Sequence, residues 1–453
     1  MHYSTLQPNS CYASNNHSKS KVICQPKPSS FICCYSPMAP DRAGDDKNGV
    51  VSSLLRTLQR STTSTETLTP PSLPPAGDSL HAPPLPSLPF DLVVEILCRL
   101  PVKPLLQFRC VCKSWKSLIS DPKFAKKHLH SSPSDFIRHR LIVNHHSDDS
   151  GFRAYPLLSV FNTVPAAATA TQLEYPLIIQ KFNYVIVGSC NGVLCFFIDR
   201  SFALLWNPST RRFKKSPSLE NPRLKDSFTK YGFGYDHFAD SYKVVAVFCY
   251  EDGDSGLYKT QANIHTLGTH CWRRIQELPC VPVQSAIFVS GTGTLNWLAS
   301  DDNRSESVNN WMESRAIIIS QDLRKECYQK LLLPDDYGHD DGGKGPLNLQ
   351  VLRDCLCLCV HSFDSGSCDI WFMKEYGSKE SWTKLFIVPN PDGCFSFTKP
   401  FHISKEDEVL VIKLEIIYLY NSRDNTFKIY PIQNIEDWMI PVVYVESLIS
   451  PCF

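Results

Sequence analysis

Residues 186–217 read IVGSCNGVLCFFIDRSFALLWNPSTRRFKKSP. Apolar, strand-like residues lie on both sides of Asn191-Gly192, which is the strongest short signal for a β-hairpin. A second apolar run at 203–206 is followed by an aromatic and basic phrase that ends at Pro217. The stretch therefore predicts short consecutive strands joined by tight turns.

The closing phrase of that stretch recurs along the chain. It consists of an aromatic residue, basic and apolar residues, and then a proline. Its six copies begin at Phe152, Phe213, Trp272, Tyr328, Trp382 and Phe427. All but the first follow a strand-like run, and successive copies start 45 to 61 residues apart. A four-stranded propeller blade takes about 40–50 residues, so the repeat predicts an all-β, propeller-like domain of roughly six blades over residues 136–445.

Residues 87–122 have a different, helical pattern. One face of a first amphipathic helix is formed by Val93, Ile96, Leu97 and Leu100. Pro101 ends this helix, and two further short helices are predicted at 102–109 and 112–120, closed by Asp121-Pro122. So small a helical unit has more apolar surface than it can bury alone, which indicates a binding partner.

Residues 1–86 are rich in Ser, Thr, Pro, Asn and Lys, and they are predicted to form a disordered tail. Residues 1–40 contain no acidic residue, a feature shared with organelle transit peptides, but the disordered tail is the favoured interpretation.

The composition limits the function classes. The chain has 453 residues and a formal net charge of +1, which argues against a protein that coats nucleic acid. No apolar stretch reaches the ~20 residues needed to span a bilayer, so we expect no membrane contact. The 19 cysteines, an odd number without a secretory signal, indicate an intracellular protein with free thiols, located in the cytoplasm, the nucleus or both.

Two segments together resemble a known family, the plant F-box proteins with an F-box-associated domain of the F-box/kelch-repeat-like type. The F-box resemblance over residues 87–130 rests on Leu88-Pro89, Asp91-Leu92, Ile96-Leu97, Leu100-Pro101 and Arg109-Cys-Val-Cys-Lys-Ser-Trp115. The resemblance of the second domain rests on Gly188-Ser-Cys-Asn-Gly-Val-Leu-Cys195, Leu205-Trp-Asn-Pro-Ser-Thr-Arg211, and Tyr231-Gly-Phe-Gly-Tyr-Asp236 with Asp240-Ser-Tyr-Lys-Val-Val245. The chain departs from true kelch repeats, since its only Gly-Gly doublet is Gly342-Gly343.

The resemblance implies a substrate receptor of a cullin–RING (SCF-type) ubiquitin ligase. The F-box would dock on the adaptor subunit, and through it on the cullin, while the β domain would bind an unidentified target protein. The implied adaptor-binding residues are Leu88, Pro89, Leu92, Ile96, Leu97, Leu100, Pro101, Leu105, Leu106, Val111 and Trp115. Such a receptor is not an enzyme and needs no cofactor. The alternatives are a propeller scaffold without a ligase role and a propeller enzyme.

Candidate chemical motifs favour structural roles. Cys355, Cys357, Cys359 and His361 alternate along one strand, where neighbours are about 7 Å apart, so packed core thiols are favoured over zinc. No catalytic nucleophile motif is present. Trp206 and the Asn207-Pro208 turn are interpreted as structural. Target binding is expected in the loops 301–314 and 335–347, because the strand residues are needed for packing.

Overall fold

The structure is a computed structural model. It describes residues 88–131, 137–145, 151–162, 170–220, 224, 227–304, 316–335, 337, 344–362, 366–389, 399–404, 406–413, 416–430, 432 and 441–452. The tail predicted over residues 1–86 lies outside this part of the chain.

The helical unit, residues 88–131, contains the three predicted helices and a fourth. These are α1 (Phe90–Cys98), α2 (Val102–Phe108), α3 (Lys113–Ser120) and α4 (Pro122–His130). Asp121-Pro122 closes α3 after Ser120, as predicted, and the same pair also begins α4, which was not predicted. The Asp121 carboxylate accepts a hydrogen bond from the Lys123 amide at 2.6 Å, and Pro122 occupies the first turn of α4. Asp-Pro is favourable at a helix start for these two reasons.

A compact core holds the helical unit together. Leu97, Leu105 and Trp115 are almost completely buried, and the Trp115 ring lies 5.5 Å from that of Phe108. The side chains that the helices turn toward each other are thus already packed.

The remaining chain forms six antiparallel sheets. Blade 1 is made of β25 (Val442–Val445), β1 (His139–His145), β2 (Gly151–Pro156) and β3 (Thr171–Gln172). Blade 2 contains β4 (Tyr184–Cys190), β5 (Val193–Ile198), β6 (Phe202–Asn207) and β7 (Arg212–Lys215), and blade 3 contains β8 (Phe228–Asp236), β9 (Ser241–Asp252), β10 (Leu257–Thr266) and β11 (Arg273–Arg274). Blade 4 contains β12 (Val281–Pro282), β13 (Ile287–Val289), β14 (Thr294–Ser300), β15 (Ala316–Asp322) and β16 (Tyr328–Leu331). Blade 5 contains β17 (Lys344–Leu352), β18 (Cys355–Ser362), β19 (Cys368–Met373) and β20 (Trp382–Val388), and blade 6 contains β21 (Lys399–Ile403), β22 (Glu408–Lys413), β23 (Ile416–Asn421) and β24 (Thr426–Tyr430).

In the described connections, short helices occur three times. They are α5 (Leu157–Phe161), α6 (Leu177–Lys181) and a single 3-10 turn at Lys379–Ser381. Among the described residues, no helix is long and apolar enough to cross a membrane.

The six sheets close into a β-propeller. The innermost strands β25, β4, β8, β13, β17 and β21 each contact the next one around the ring, and β21 contacts β25. Blade 1 seals the ring because its innermost strand comes from the C-terminal end of the domain and its other strands come from the N-terminal end. Within it, Ile142 pairs with Val442 and His139 with Val445. The mainly β, six-bladed prediction is confirmed.

The repeated phrase corresponds to a fixed place in the blade. Five of its six copies coincide with the outermost strands β7, β11, β16, β20 and β24 or their approach. The first copy, beginning at Phe152, differs and forms the third strand β2, because the outermost strand of blade 1 is the short β3.

The blades are meanders that start at the innermost strand, so all innermost strands run in the same direction. We define the proximal face as the face that carries the turns between the first and second strands, and between the third and fourth strands, of each blade. The opposite face, the distal face, carries the turns between second and third strands and the connections between blades.

Candidate functional site

Three exposed apolar side chains mark the start of the helical unit. The exposed fractions are 37% for Leu88, 54% for Phe90 and 50% for Leu92. Phe90 and Leu92 belong to the first turn of α1, which packs against the core through Val93 and Leu97, and Leu88 directly precedes its N-cap Pro89. Three large apolar side chains exposed within five residues point to a partner that covers them.

The structure divides the residues predicted to bind an adaptor into three groups. Exposed to solvent are Leu88, Pro89, Leu92 and Pro101. Partly buried are Ile96, Leu100, Leu106 and Val111. The remaining three, Leu97, Leu105 and Trp115, lie in the core of the helical unit. Phe90, which the sequence analysis did not include, is the most exposed of the apolar set at the start of α1.

The helical unit is joined to the propeller by a buried cation. Arg138 directly precedes β1, and its guanidinium donates hydrogen bonds to the carbonyl of His128 at 2.6 Å and to that of Cys98 at 2.9 Å. These carbonyls lie at the C-terminal ends of α4 and α1, where a cation is favourable. The Glu446 amide donates to the Arg138 carbonyl at 2.8 Å. One residue thus connects two helices to the propeller.

The imidazole of His128 lies beside the Arg138 guanidinium and is neutral. We call Arg138 and His128, with the carbonyl groups that they contact, the joint. Burial lowers the pKa of His128 to about 4. Its Nε2 lies 2.9 Å from the Leu100 carbonyl, which can only accept, so Nε2 carries the proton. The unprotonated Nδ1 then faces the Arg138 guanidinium, 3.4 Å away. The ring bridges the end of the first helix and Arg138.

A second link lies on the surface. The Lys126 ammonium of α4 forms an ion pair with the Asp240 carboxylate, in the turn between β8 and β9. The Tyr235 hydroxyl also donates to Asp240. Both contacts, with Lys126 first, lower the pKa of Asp240. Because this turn belongs to the proximal face, the helical unit lies against that face.

Two family models match the chain. The model of the F-box domain matches residues 85–127. The model of the F-box associated beta propeller domain matches residues 153–451, about two thirds of the chain. The chain belongs to the F-box proteins with an F-box-associated β-propeller. The helical unit is its F-box, and the family resemblance is confirmed.

Relatives agree with this assignment. An F-box/kelch-repeat protein of Arabidopsis thaliana is 31% identical over 379 residues, which cover 81% of this chain and 96% of that protein. F-box protein CPR1 of Arabidopsis thaliana is 25% identical over 350 residues, which cover 72% of this chain and 80% of that protein. A chain in the crystal structure of a nidogen/laminin complex aligns with a TM-score of 0.40 and 9% identity, over 68% of this chain and 98% of that one. At that TM-score the likeness carries no argument.

The Trp206-Asn207 motif of this F-box protein has a structural role. Trp206 is fully buried between blades 1 and 2, where it packs with Phe152 and Phe196. The Asn207 side-chain oxygen accepts from the Ser209 amide at 2.8 Å, as the predicted turn requires. The packing of Trp206 and the cap by Asn207 are confirmed.

Asn207 also holds the C-terminal segment in place. Its amide nitrogen donates to the Ser447 carbonyl at 3.1 Å and to the Ile449 carbonyl at 2.6 Å. The same segment crosses Gly192, which has a φ of 82°. A Cβ at Gly192 would lie 2.4 Å from the Val445 carbonyl oxygen, so only glycine fits. Both motifs of blade 2, the one around Gly192 and the one around Asn207, therefore hold the C-terminal segment that closes the propeller.

The strand with alternating cysteines is part of the core. In β18, Cys357 and Cys359 are fully buried beside Ile370, and Leu356 and Leu358 fill the opposite side. Burial raises the pKa of the Cys357 thiol well above its usual range. Among the described residues, no three His, Cys, Asp or Glu side chains are placed to hold a metal ion. These thiols act as small apolar side chains.

The described part of the distal face carries exposed apolar side chains. The large ones on its connections and strand starts include Leu177, Phe182, Val185, Leu224, Leu257, Leu332 and Ile416. The loops 301–314 and 335–347, in which target binding was predicted, also leave from this face. Most of both loops lies outside the described residues, and the described Asp301 and Asp302 pair with Lys330 and Arg304.

Proposed function

We propose that this F-box protein is the substrate-recognition subunit of a cullin–RING ubiquitin ligase of the SCF type. The observation that carries the proposal is the exposure of three apolar side chains, Leu88, Phe90 and Leu92, on an F-box whose own core is filled. These side chains are the surface that the adaptor subunit would cover, and the cullin would be reached through the adaptor.

The division of the predicted residues refines this adaptor site. Leu88, Pro89 and Leu92 are accessible and form the contact. Leu97, Leu105 and Trp115 support it from below, because their side chains hold α1 against the other helices. Leu106 faces the propeller side of the F-box and lies outside the contact.

The target protein would bind to the distal face. The F-box lies against the proximal face, so a target on the opposite side leaves the adaptor contact free. The distal face offers exposed apolar side chains such as Phe182 and Val185 beside polar loops, a combination that is typical of protein interfaces. With a net charge of +1, recognition would depend on local shape more than on long-range attraction.

The receptor would perform no bond chemistry. It would hold a target near the ubiquitin-transferring subunits and so raise the effective concentration of the target. This role places the protein in the cytoplasm, the nucleus or both. A propeller scaffold would bind the same target without changing its turnover.

The adaptor contact can be tested with the full chain. We expect the double substitution Leu88→Ala and Pro89→Ala to abolish pull-down of the adaptor and cullin, while thermal unfolding of the propeller stays unchanged. Ile429→Ala, which truncates a more exposed apolar side chain on β24, should bind the adaptor like the intact chain. Undiminished adaptor binding by the double variant would refute the proposal.

A further inference from the structure

A cleft of about 710 Å³ lies between the F-box and the proximal face of the propeller. The F-box contributes residues of α2, α3 and α4, and the propeller contributes the turns after β4, β6 and β8 together with the C-terminal segment. Its volume falls in the range of about 300–1,000 Å³ in which proteins bind drug-sized molecules, and junctions of two folded parts are common places for such sites.

The cleft has an apolar lining on both sides. The F-box provides Leu106, Ile119 and Leu129, and the propeller provides Leu267 and Ile449. A ligand that fills the cleft therefore needs an apolar body, since an inorganic anion alone would leave this surface without a partner.

Two guanidinium groups make the same cleft electropositive. Arg109 comes from the end of the second helix and Arg212 from the start of β7. Within the described part of the chain, neither forms an ion pair, and the only hydrogen bond of the Arg212 guanidinium is a long one of 3.4 Å to the Ser450 hydroxyl. Each guanidinium has donors in a fork that matches a carboxylate.

The lining of the cleft contains little negative charge. Asp240 is the only carboxylate among the lining residues, and Lys126 already neutralises it. No lining carboxylate therefore neutralises the positive charges of Arg109 and Arg212. An anionic ligand would therefore be favoured over a neutral or cationic one of the same shape.

Three hydroxyl groups in the lining have no hydrogen-bond partner among the described residues. They are Thr210 Oγ1, in the turn before β7, Ser241 Oγ, at the start of β9, and Tyr242 Oη. Buried hydroxyls without a partner are costly, and a ligand oxygen at the cleft wall would relieve that cost.

We propose that the cleft binds a small organic acid with an apolar body, whose carboxylate is held by the guanidinium groups of Arg109 and Arg212. Such a ligand would contact the F-box and the propeller together and would stabilise their relative orientation. The inference goes beyond the receptor role, because the cleft would bind its ligand whether or not the chain serves a ubiquitin ligase.

The test uses the full chain and three probes: 2-naphthoate, its neutral analogue 2-naphthamide, and inorganic phosphate. Calorimetry and thermal unfolding measure binding, since a ligand of the folded state raises the melting temperature. We expect 2-naphthoate to bind at least about tenfold more tightly than 2-naphthamide, because a charge-assisted contact contributes more than a neutral one. Phosphate should bind more weakly than 2-naphthoate. Equal affinities for the acid and the amide, or no binding of 2-naphthoate at millimolar concentration, would overturn the proposal.

Substitutions assign the effect to the cleft. Arg109→Gln and Arg212→Gln should each weaken 2-naphthoate about tenfold and leave 2-naphthamide unchanged, whereas Arg109→Lys should retain part of the affinity. The matched control is Arg423→Gln, which removes an exposed guanidinium in the turn before β24. It should bind like the intact chain. If Arg423→Gln loses as much affinity as the cleft variants, the site is not the cleft.

A further variant separates binding from folding. Thr210→Val removes an unpartnered hydroxyl and keeps the side-chain shape. The melting temperature of the free protein should not fall, while the affinity for 2-naphthoate falls severalfold. A lower melting temperature with unchanged affinity would show that the hydroxyl has a structural role, and would contradict its assignment to the ligand.

Discussion

The F-box and the propeller differ in how much of their apolar surface they cover themselves. The propeller buries its largest ones between blades, as with Trp206 and Trp297, which are fully inaccessible to solvent. The F-box leaves Phe90 and Leu92 about half exposed at the start of its first helix. A closed ring of sheets covers most of its own apolar surface, whereas a unit of four short helices covers less. Buried apolar side chains thus serve stability in both regions, and the exposed ones, at the start of α1 and on the distal face, are available for binding.

The largest expected effect concerns Trp206. Truncation to alanine leaves a cavity between blades 1 and 2, and a buried tryptophan replaced in this way typically costs about 3–5 kcal/mol of unfolding free energy. Chemical denaturation of the propeller would measure it. Phe213→Ala, a neighbouring aromatic that is half exposed on β7, is the control and should change little. A normal unfolding curve for Trp206→Ala with selective loss of a target would reverse our interpretation of this residue.

The joint between the two regions should be sensitive to acid. The folded pKa of His128 is about 4, below the ordinary value of 6.5, so protons bind preferentially to the unfolded chain. Stability is therefore complete above about pH 6.5 and decreases as the pH falls toward 4, by up to about 3 kcal/mol from this residue.

Unfolding free energies measured between pH 7 and pH 4 test this expectation. His128→Gln, whose amide can still donate to the Leu100 carbonyl, should show a shallower decrease, although not a flat one, because burial also lowers the pKa of His402 to about 3. Replacement of the exposed His270 by Gln should leave the slope as it is in the intact chain. An identical slope in His128→Gln would show that the joint does not contain a neutral imidazole.

The smallest effect is expected at the surface link. Lys126 and Asp240 are both largely exposed, and such ion pairs contribute less than about 1 kcal/mol. Lys126→Ala should shift the melting temperature only slightly and should leave adaptor binding unchanged. A large loss of stability would mean that this pair, and not the buried Arg138, holds the F-box to the propeller.

The sequence predicts local features better than distant ones. The hairpin at Asn191-Gly192 and the turn capped by Asn207 follow from residues next to each other, and both are present. Asp121-Pro122 closes α3 as predicted, but the same pair also begins α4, which the sequence analysis did not predict.

The adaptor surface could be predicted only in part. A helical period identifies an apolar side of α1, but it does not say which residues the neighbouring helices cover. Ile96 and Leu97 both fit the pattern, yet Leu97 is fully buried and Ile96 only partly. The joint was not predictable, because Arg138 contacts residues about 10 and 40 positions away in sequence and a strand end more than 300 positions away.

The central claim is that the F-box recruits a ligase and the propeller holds its target. The most direct measurement is proximity labelling with the intact full chain and with Leu88→Ala combined with Leu92→Ala, together with the half-lives of the labelled proteins. Our account predicts that the variant labels the same neighbours through the propeller, loses the adaptor and cullin, and lengthens the half-lives of those neighbours. Retention of the adaptor and cullin by the variant, or unchanged half-lives after their loss, would contradict the account.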